Sequence, residues 1–154
     1  MVGMEDLTVE WDSITKDCAK YYASNRSNIY SFEVKTAINR GNLRECFFQA
    51  VSNSSWANYG FLVAAELSYD AKRELQILSS LHGIGFMLIN QEDHLESSEM
   101  LIPARYRTDI DWNTSDRLHK ENKDFIEFIK EIKDFNLTGK TKKSDWDFIK
   151  DMID

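Results

Sequence analysis

The sequence predicts an α/β protein in which helices cover a small mixed sheet. Three observations carry that expectation. Residues 59–67 (YGFLVAAEL) form a near-continuous apolar run, as a central strand covered on both faces requires. Residues 29–36 are β-branched and aromatic and they alternate: Tyr30, Phe32, Val34 and Thr36 point one way, Ile29, Ser31, Glu33 and Lys35 the other. Residues 112–135 carry an apolar stripe through Leu118, Phe125, Phe128, Ile129, Ile132 and Phe135, the spacing of a long amphipathic helix.

The remaining elements fall between these. Residues 1–10 read as a short strand ending in acidic residues. Residues 12–23 read as a helix capped by Asp12 or Ser13, with Ile14, Cys18 and Tyr21/Tyr22 on one stripe. Residues 25–28 (NRSN) read as a turn. Asn39-Arg40-Gly41-Asn42 opens a helix to about Ser55. Its apolar stripe is Leu43, Phe47, Ala50 and Val51, and Asn42, Glu45, Gln49 and Asn53 share another face. Residues 70–82 form a helix closed by Gly83, residues 84–90 a buried strand, and residues 100–103 an edge strand that tolerates Pro103. Asn113 or Thr114 would cap the long helix. A basic turn over 138–143 then leads to a last helical piece over 144–152. Strands and helices alternate throughout, the order of a layered α/β fold.

Composition bounds the function. A chain of 154 residues fits one compact domain, with 42% hydrophobic and 29% charged residues. The net charge of −7 excludes a globally basic nucleic-acid binder, but not a local basic site on an acidic body. Two cysteines, Cys18 and Cys46, make neither a disulfide scaffold nor a four-ligand zinc site. They read as reduced thiols of a cytoplasmic protein. No apolar run is long enough to span a bilayer, so no membrane partner is expected. Gly139-Lys140-Thr141 lacks the earlier glycine of a P-loop, and Gly83-Ile84-Gly85 lacks the third glycine of a dinucleotide loop and precedes a strand rather than following one. His82, His94 and His119 have no common spacing, and His82 sits where a helix ends.

Glu33-Val34-Lys35 is the constellation that suits chemistry. Residues two apart on a strand share a face about 7 Å apart, so a carboxylate and an ammonium reach one region. A carboxylate holds a hard divalent cation, the Val34 carbonyl adds a neighbouring oxygen, and a lysine positions water against a phosphate. The same tripeptide also suits the wet face of an ordinary half-buried strand. Residues 26–44 add Arg26, Arg40 and Arg44, so four cations face one anion and the segment is locally +3, a patch suited to phosphates.

The strand Ser31-Phe32-Glu33-Val34-Lys35, the helix with Gln49 and the apolar strand after it resemble the PD-(D/E)XK nuclease superfamily. More closely, the chain resembles the C-terminal portion of the HrgA family of bacterial restriction-associated proteins. The matching stretches are residues 31–35, 45–58 (ECFFQAVSNSSWAN), 80–85, 102–104, 110–114, 121–125 and 145–147, which span nearly the whole chain. The resemblance implies a restriction-endonuclease-like core, a mixed sheet of about four strands flanked by helices, and magnesium-dependent cleavage of double-stranded DNA. It carries over Glu33 as a metal ligand, Lys35 as the residue that positions water and Gln49 as the helix residue supporting the site. Trp56 and His82 fall in matching stretches without an assigned role.

The superfamily pattern also calls for an aspartate, usually after a proline, on the strand before Glu-x-Lys. In the family that Pro-Asp lies immediately before a Met-Val-Gly-like segment, and this chain starts at Met1-Val2-Gly3. The expectation is therefore a single domain over 1–154, truncated at its N-terminus and lacking its first metal carboxylate, with Glu5, Asp6 or Asp12 as substitutes. Two other classes stay open. One is a non-catalytic module of the same fold that binds nucleic acid or pairs into a homodimer through an exposed strand edge. The other is a domain whose acidic surface binds protein.

Overall fold

The structure, a computed structural model, describes residues 1–22, 25–89, 98–142, Ser144 and Trp146. It is an α/β arrangement with a five-stranded mixed sheet: β1 (Val2–Asp6), β2 (Ser27–Ile38), β3 (Tyr59–Leu67), β4 (Gly85–Leu88) and β5 (Glu99–Ile102), side by side in that order. β1 and β2 are antiparallel, β2, β3 and β4 run parallel, and β5 is antiparallel to β4. The helices are α1 (Ser13–Tyr21), α2 (Leu43–Ser52), α3 (Lys72–His82), α4 (Trp112–Glu121) and α5 (Lys123–Thr138). The described chain falls into two compact units: residues 1–6 with 27–115, and residues 7–26 with those from 116 onward. None of the described helices is long and apolar enough to cross a membrane.

The core of the first unit lies between the sheet and helices α2 and α3. Leu43, Cys46, Phe47 and Ala50 of α2, Leu75 of α3, and Leu62, Ala64, Ile84 and Phe86 from the sheet region make one buried cluster. β3 follows the expected 59–67 to the residue, because a run apolar on both faces suits only a strand with neighbours on both edges. Gly60 allows the turn before β3 to pack close. A Cβ there would stand 2.4 Å from the Ser54 hydroxyl and 2.9 Å from Ile84. Arg107 ties down that turn, donating to the Ser54 carbonyl at 2.6 Å, while the Asn58 side chain accepts from the Ile29 amide at 2.8 Å. Gly83 takes the left-handed conformation, φ 74°, and closes α3.

The second unit contains α1 and α5. Asp12, one of the two expected caps, accepts from the Ile14 and Thr15 amides at 2.9 and 3.0 Å. Phe125, Phe128, Ile132 and Phe135 are the buried stripe of α5.

Several expectations are corrected. The helix expected over 112–135 is two helices. Asn122 breaks it: its amide still donates to Leu118, but its own backbone is extended and its side chain accepts from the Asp124 and Phe125 amides. Asparagine satisfies a helix start better than a helix interior, and here that preference wins. Asp111, rather than Asn113 or Thr114, caps α4 by accepting from the Thr114 amide at 3.0 Å. Ser27 and Asn28, expected in a turn, extend β2. They pair with Asp6 and Glu5, and the Asn28 side chain donates to Glu5 at 3.0 Å. A cross-strand partner outweighs the local turn preference. The sheet has five strands rather than about four. Asn90 of the expected fourth strand, and all of the last helical piece except Ser144 and Trp146, lie outside the described residues.

Candidate active site

β2 and α2 build the site. The strand's alternation puts Ser31, Glu33 and Lys35 on the face that α2 covers, opposite Gly60, Leu62 and Ala64 of β3. Tyr30 and Phe32 go to the other face, where they stack with Tyr59 and Phe61. α2 runs back along β2. At its start the Asn42 side chain donates to the Ala37 carbonyl at 3.0 Å, and past its end the Asn53 carbonyl accepts from the Ser31 hydroxyl at 2.8 Å. Three turns of helix thus lie over the stretch that carries Glu33 and Lys35.

Within that frame Lys35 Nζ lies 2.7 Å from Glu33 Oε1, and Asn53 Nδ2 donates to Glu33 Oε2 at 2.9 Å. Both carboxylate oxygens are therefore held. Burial alone would push the Glu33 carboxyl up. The hydrogen bonds from Lys35 and Asn53, with the ammonium's charge, outweigh it and hold the group below the ordinary carboxylate value. Lys35 is raised, first by its hydrogen bond to Glu33, against a smaller opposing effect of desolvation. Its field also includes Cys46 and Glu45 of α2, and burial pushes the Cys46 thiol up. Gln49 stands one turn beyond Cys46 and one turn before Asn53 on the same helix side. Its Oε1 is buried and has no hydrogen-bond partner. An orphan acceptor is costly to leave unpaired.

Of the residues singled out from sequence, Glu33, Lys35 and Gln49 are brought into one layer. Val34 lies between the first two with its side chain on the opposite face. Met1 exchanges backbone hydrogen bonds with Phe32, and the two-residue period of the strand turns the Val34 carbonyl to that same edge. Arg40 is exposed in the turn before α2. Arg44 is exposed too, but its Nε lies 2.5 Å from Glu74 of α3, which offsets its charge. Arg26 is not on a phosphate-facing surface. It is 4% exposed, its guanidinium stands over the Phe135 ring and it donates to the Asn136 carbonyl. The expected +3 patch is reduced accordingly.

Neither Glu5 nor Asp6 reaches Glu33. Glu5 pairs with Asn28, which places it on the Tyr30 face of the sheet, where it accepts from Tyr30 Oη at 2.6 Å. Asp6 shares the Glu33 face but pairs with Ser27, six residues before Glu33, about 20 Å along the strand at ~3.3 Å per residue. Asp12 is engaged as the cap of α1. Among the described residues no group of three or more His, Cys, Asp or Glu side chains is placed to hold a metal ion. Trp56 is buried in the turn before β3, and His82 packs edge-on against Phe48. Cys18 and Cys46 are free thiols.

Among the described residues the oxygens at the site include the Glu33 carboxylate, the Val34 carbonyl, the orphan Gln49 Oε1 and the Glu45 carboxylate that acts on Lys35. An all-oxygen set suits a hard cation, and magnesium habitually keeps several waters and substrate phosphate oxygens beside one or two carboxylates. Asn53 is the residue that sequence reading placed on the right helix face without giving it a role. Its spacing from Gln49, one turn on, was the available signal. No protein-family model, no curated protein and no solved structure matches the chain.

Proposed function

We propose that the chain is a metal-dependent endonuclease domain that hydrolyses phosphodiesters of double-stranded DNA, with a restriction-endonuclease-like core of the PD-(D/E)XK kind and a role in bacterial restriction or defence. The observation that supports it is the Glu33–Lys35 pair at 2.7 Å on one strand face, braced by Asn53 from the helix above. Glu33, with the Val34 carbonyl, would hold Mg²⁺, which when bound supplies charge neutralisation at the phosphate. Lys35, kept protonated by Glu33, donates to the attacking water or a phosphate oxygen. Gln49 adds an acceptor that orients that water, and Arg40 is the exposed cation available to the DNA backbone.

Plasmid and short duplex DNA incubated with the protein in MgCl₂ test the reading. Cleavage is expected, lost on chelation and reduced at least 100-fold by Lys35→Ala and by Glu33→Gln. Cleavage that survives Lys35→Ala overturns the assigned chemistry.

The second reading is a module of the same fold that binds DNA without cutting it. It is favoured by the lack, among the described residues, of any group of three or more His, Cys, Asp or Glu side chains placed to hold a metal ion. Salt-sensitive DNA binding with no cleavage under any divalent cation would select it.

A further inference from the structure

A second polar constellation sits towards the β5 edge of the sheet, where α3 ends and β5 leads out. A cavity of about 500 Å³ is lined there by Gln76, Ser79 and Ser80 of α3, by Gly83, and by residues 101–105. That volume is in the range of small-molecule sites. Ser79 is 4% exposed, and its hydroxyl has no hydrogen-bond partner. A serine in a helix ordinarily satisfies itself on the carbonyl one turn back, as the Thr138 hydroxyl does on Asp134 in α5. Ser79 does not, and its oxygen is covered by protein atoms rather than open to the cavity.

Arg105 is fixed at the same wall. Its amide donates to the Gly83 carbonyl at 2.9 Å, and its Nη2 donates to the Ser80 carbonyl at 3.0 Å. The left-handed Gly83 lets the Arg105 stem approach. A Cβ on Gly83 would stand 3.0 Å from the Arg105 Cβ. With one nitrogen committed to a carbonyl, the guanidinium keeps further donors in a fixed fork. Among the described residues no carboxylate lines the cavity, and Leu101, Ile102, Pro103 and Ala104 supply an apolar wall. Two of the helix-end carbonyls are already bonded, Ser79 by the Gly83 amide and Ser80 by Arg105.

We infer that this cavity binds a small amphipathic carboxylate, with its anionic head on Arg105 and its apolar body against residues 101–104. The head belongs equally to a short fatty acid or to the terminus of a peptide. β3 and β4 separate the cavity from β2, so the site stands independently of the nuclease reading.

Titration of the isotope-labelled protein with sodium hexanoate, followed by amide chemical shifts, tests it. N-acetyl-leucine serves as the peptide-terminus arm and hexanol as the uncharged control. Saturable shifts are expected at Ser79, Gly83 and Ala104, with hexanol at least tenfold weaker than either carboxylate. The tighter of the two carboxylates names the source. Arg105→Gln, which keeps most of the stem, should weaken hexanoate at least tenfold. Gln76→Glu, a surface change that adds an anion to the rim, should weaken it several-fold while leaving hexanol unchanged. Absence of saturable shifts with both carboxylates overturns the inference, as does hexanoate binding that is indifferent to Arg105→Gln and Gln76→Glu.

Discussion

On one face of β2 Glu33 is held by Lys35 and Asn53. On the other face Glu5, brought across from β1, is held by Tyr30 and Asn28. Each carboxylate has two side-chain partners at ordinary distances, and each is held below its usual range. The causes differ. At Glu5 hydrogen bonds from neutral donors dominate and desolvation is the smaller, opposing effect. At Glu33 desolvation is the largest effect, and it takes an ammonium as well as an amide to overcome it. A carboxylate that is half-buried and held down by an adjacent cation together with an amide is poised for chemistry. One that is exposed and bonded by neutral groups fastens two strands.

Removing the cation should therefore produce the larger effect. Lys35→Met, which keeps an apolar stem, leaves Glu33 half-buried with Asn53 as its one remaining side-chain partner. The expected loss is about 2 kcal/mol, between the value of an exposed pair and that of a fully buried one. Urea unfolding at neutral pH measures it, and a loss below about 0.5 kcal/mol would mean that the pair behaves as an ordinary surface pair. The sign with pH follows from the two directions. The lowered Glu33 contributes stability above its unfolded value and loses it as pH falls through the folded value. The raised Lys35 contributes below its unfolded value and loses it as pH rises through the folded one. The gap between wild type and Lys35→Met should therefore be widest between those limits and close towards strong acid and strong base.

The two-residue spacing that joins Glu33 to Lys35 is written into the chain, because a strand's alternation is local. So is β3, whose apolar run admits no other element. What joins Glu33 to Asn53 is not local. The helix face was readable from Asn42, Glu45, Gln49 and Asn53, but which of them meets the carboxylate depends on how α2 lies along β2. Arg26 shows the same limit more sharply. Its place in a basic segment suggested a phosphate, whereas Phe135 and Asn136, far along the chain, take it out of solvent. Asn122 and Asn28 were misread in opposite senses, one ending a helix and the other extending a strand, because asparagine follows whichever backbone partner tertiary structure offers it.

A smaller effect is expected at the amide. Asn53→Ala removes one donor from Glu33 and leaves Lys35 in place, a loss of about 1 kcal/mol. It should also raise the Glu33 carboxyl towards its ordinary value, which carbon-detected titration of labelled glutamate reads directly. If Lys35→Met and Asn53→Ala raise it equally, the distinction drawn between cation and amide fails. The double variant adds a coupling test, because two donors on one carboxylate should not act additively.

The smallest effect belongs to the other face. Tyr30→Phe deletes the hydroxyl that donates to Glu5 and leaves the stacking with Tyr59, at 4.9 Å between ring centroids, in place. Because Glu5 is exposed and water can replace the hydroxyl, a loss of about 0.5 kcal/mol is expected. Burial and the hydrogen bond to Glu5 raise the Tyr30 hydroxyl, so it stays protonated as a donor throughout the neutral range. Only the acid side then tests the contact. The lowered Glu5 contributes above its unfolded value, and that contribution disappears as pH falls through the folded one, so wild type and Tyr30→Phe should converge in acid. Unlike the Lys35 comparison, they should stay apart as pH rises towards 10. A convergence on the basic side would mean that Glu5 also depends on a titrating cation, and the contrast between the two faces of β2 would be lost.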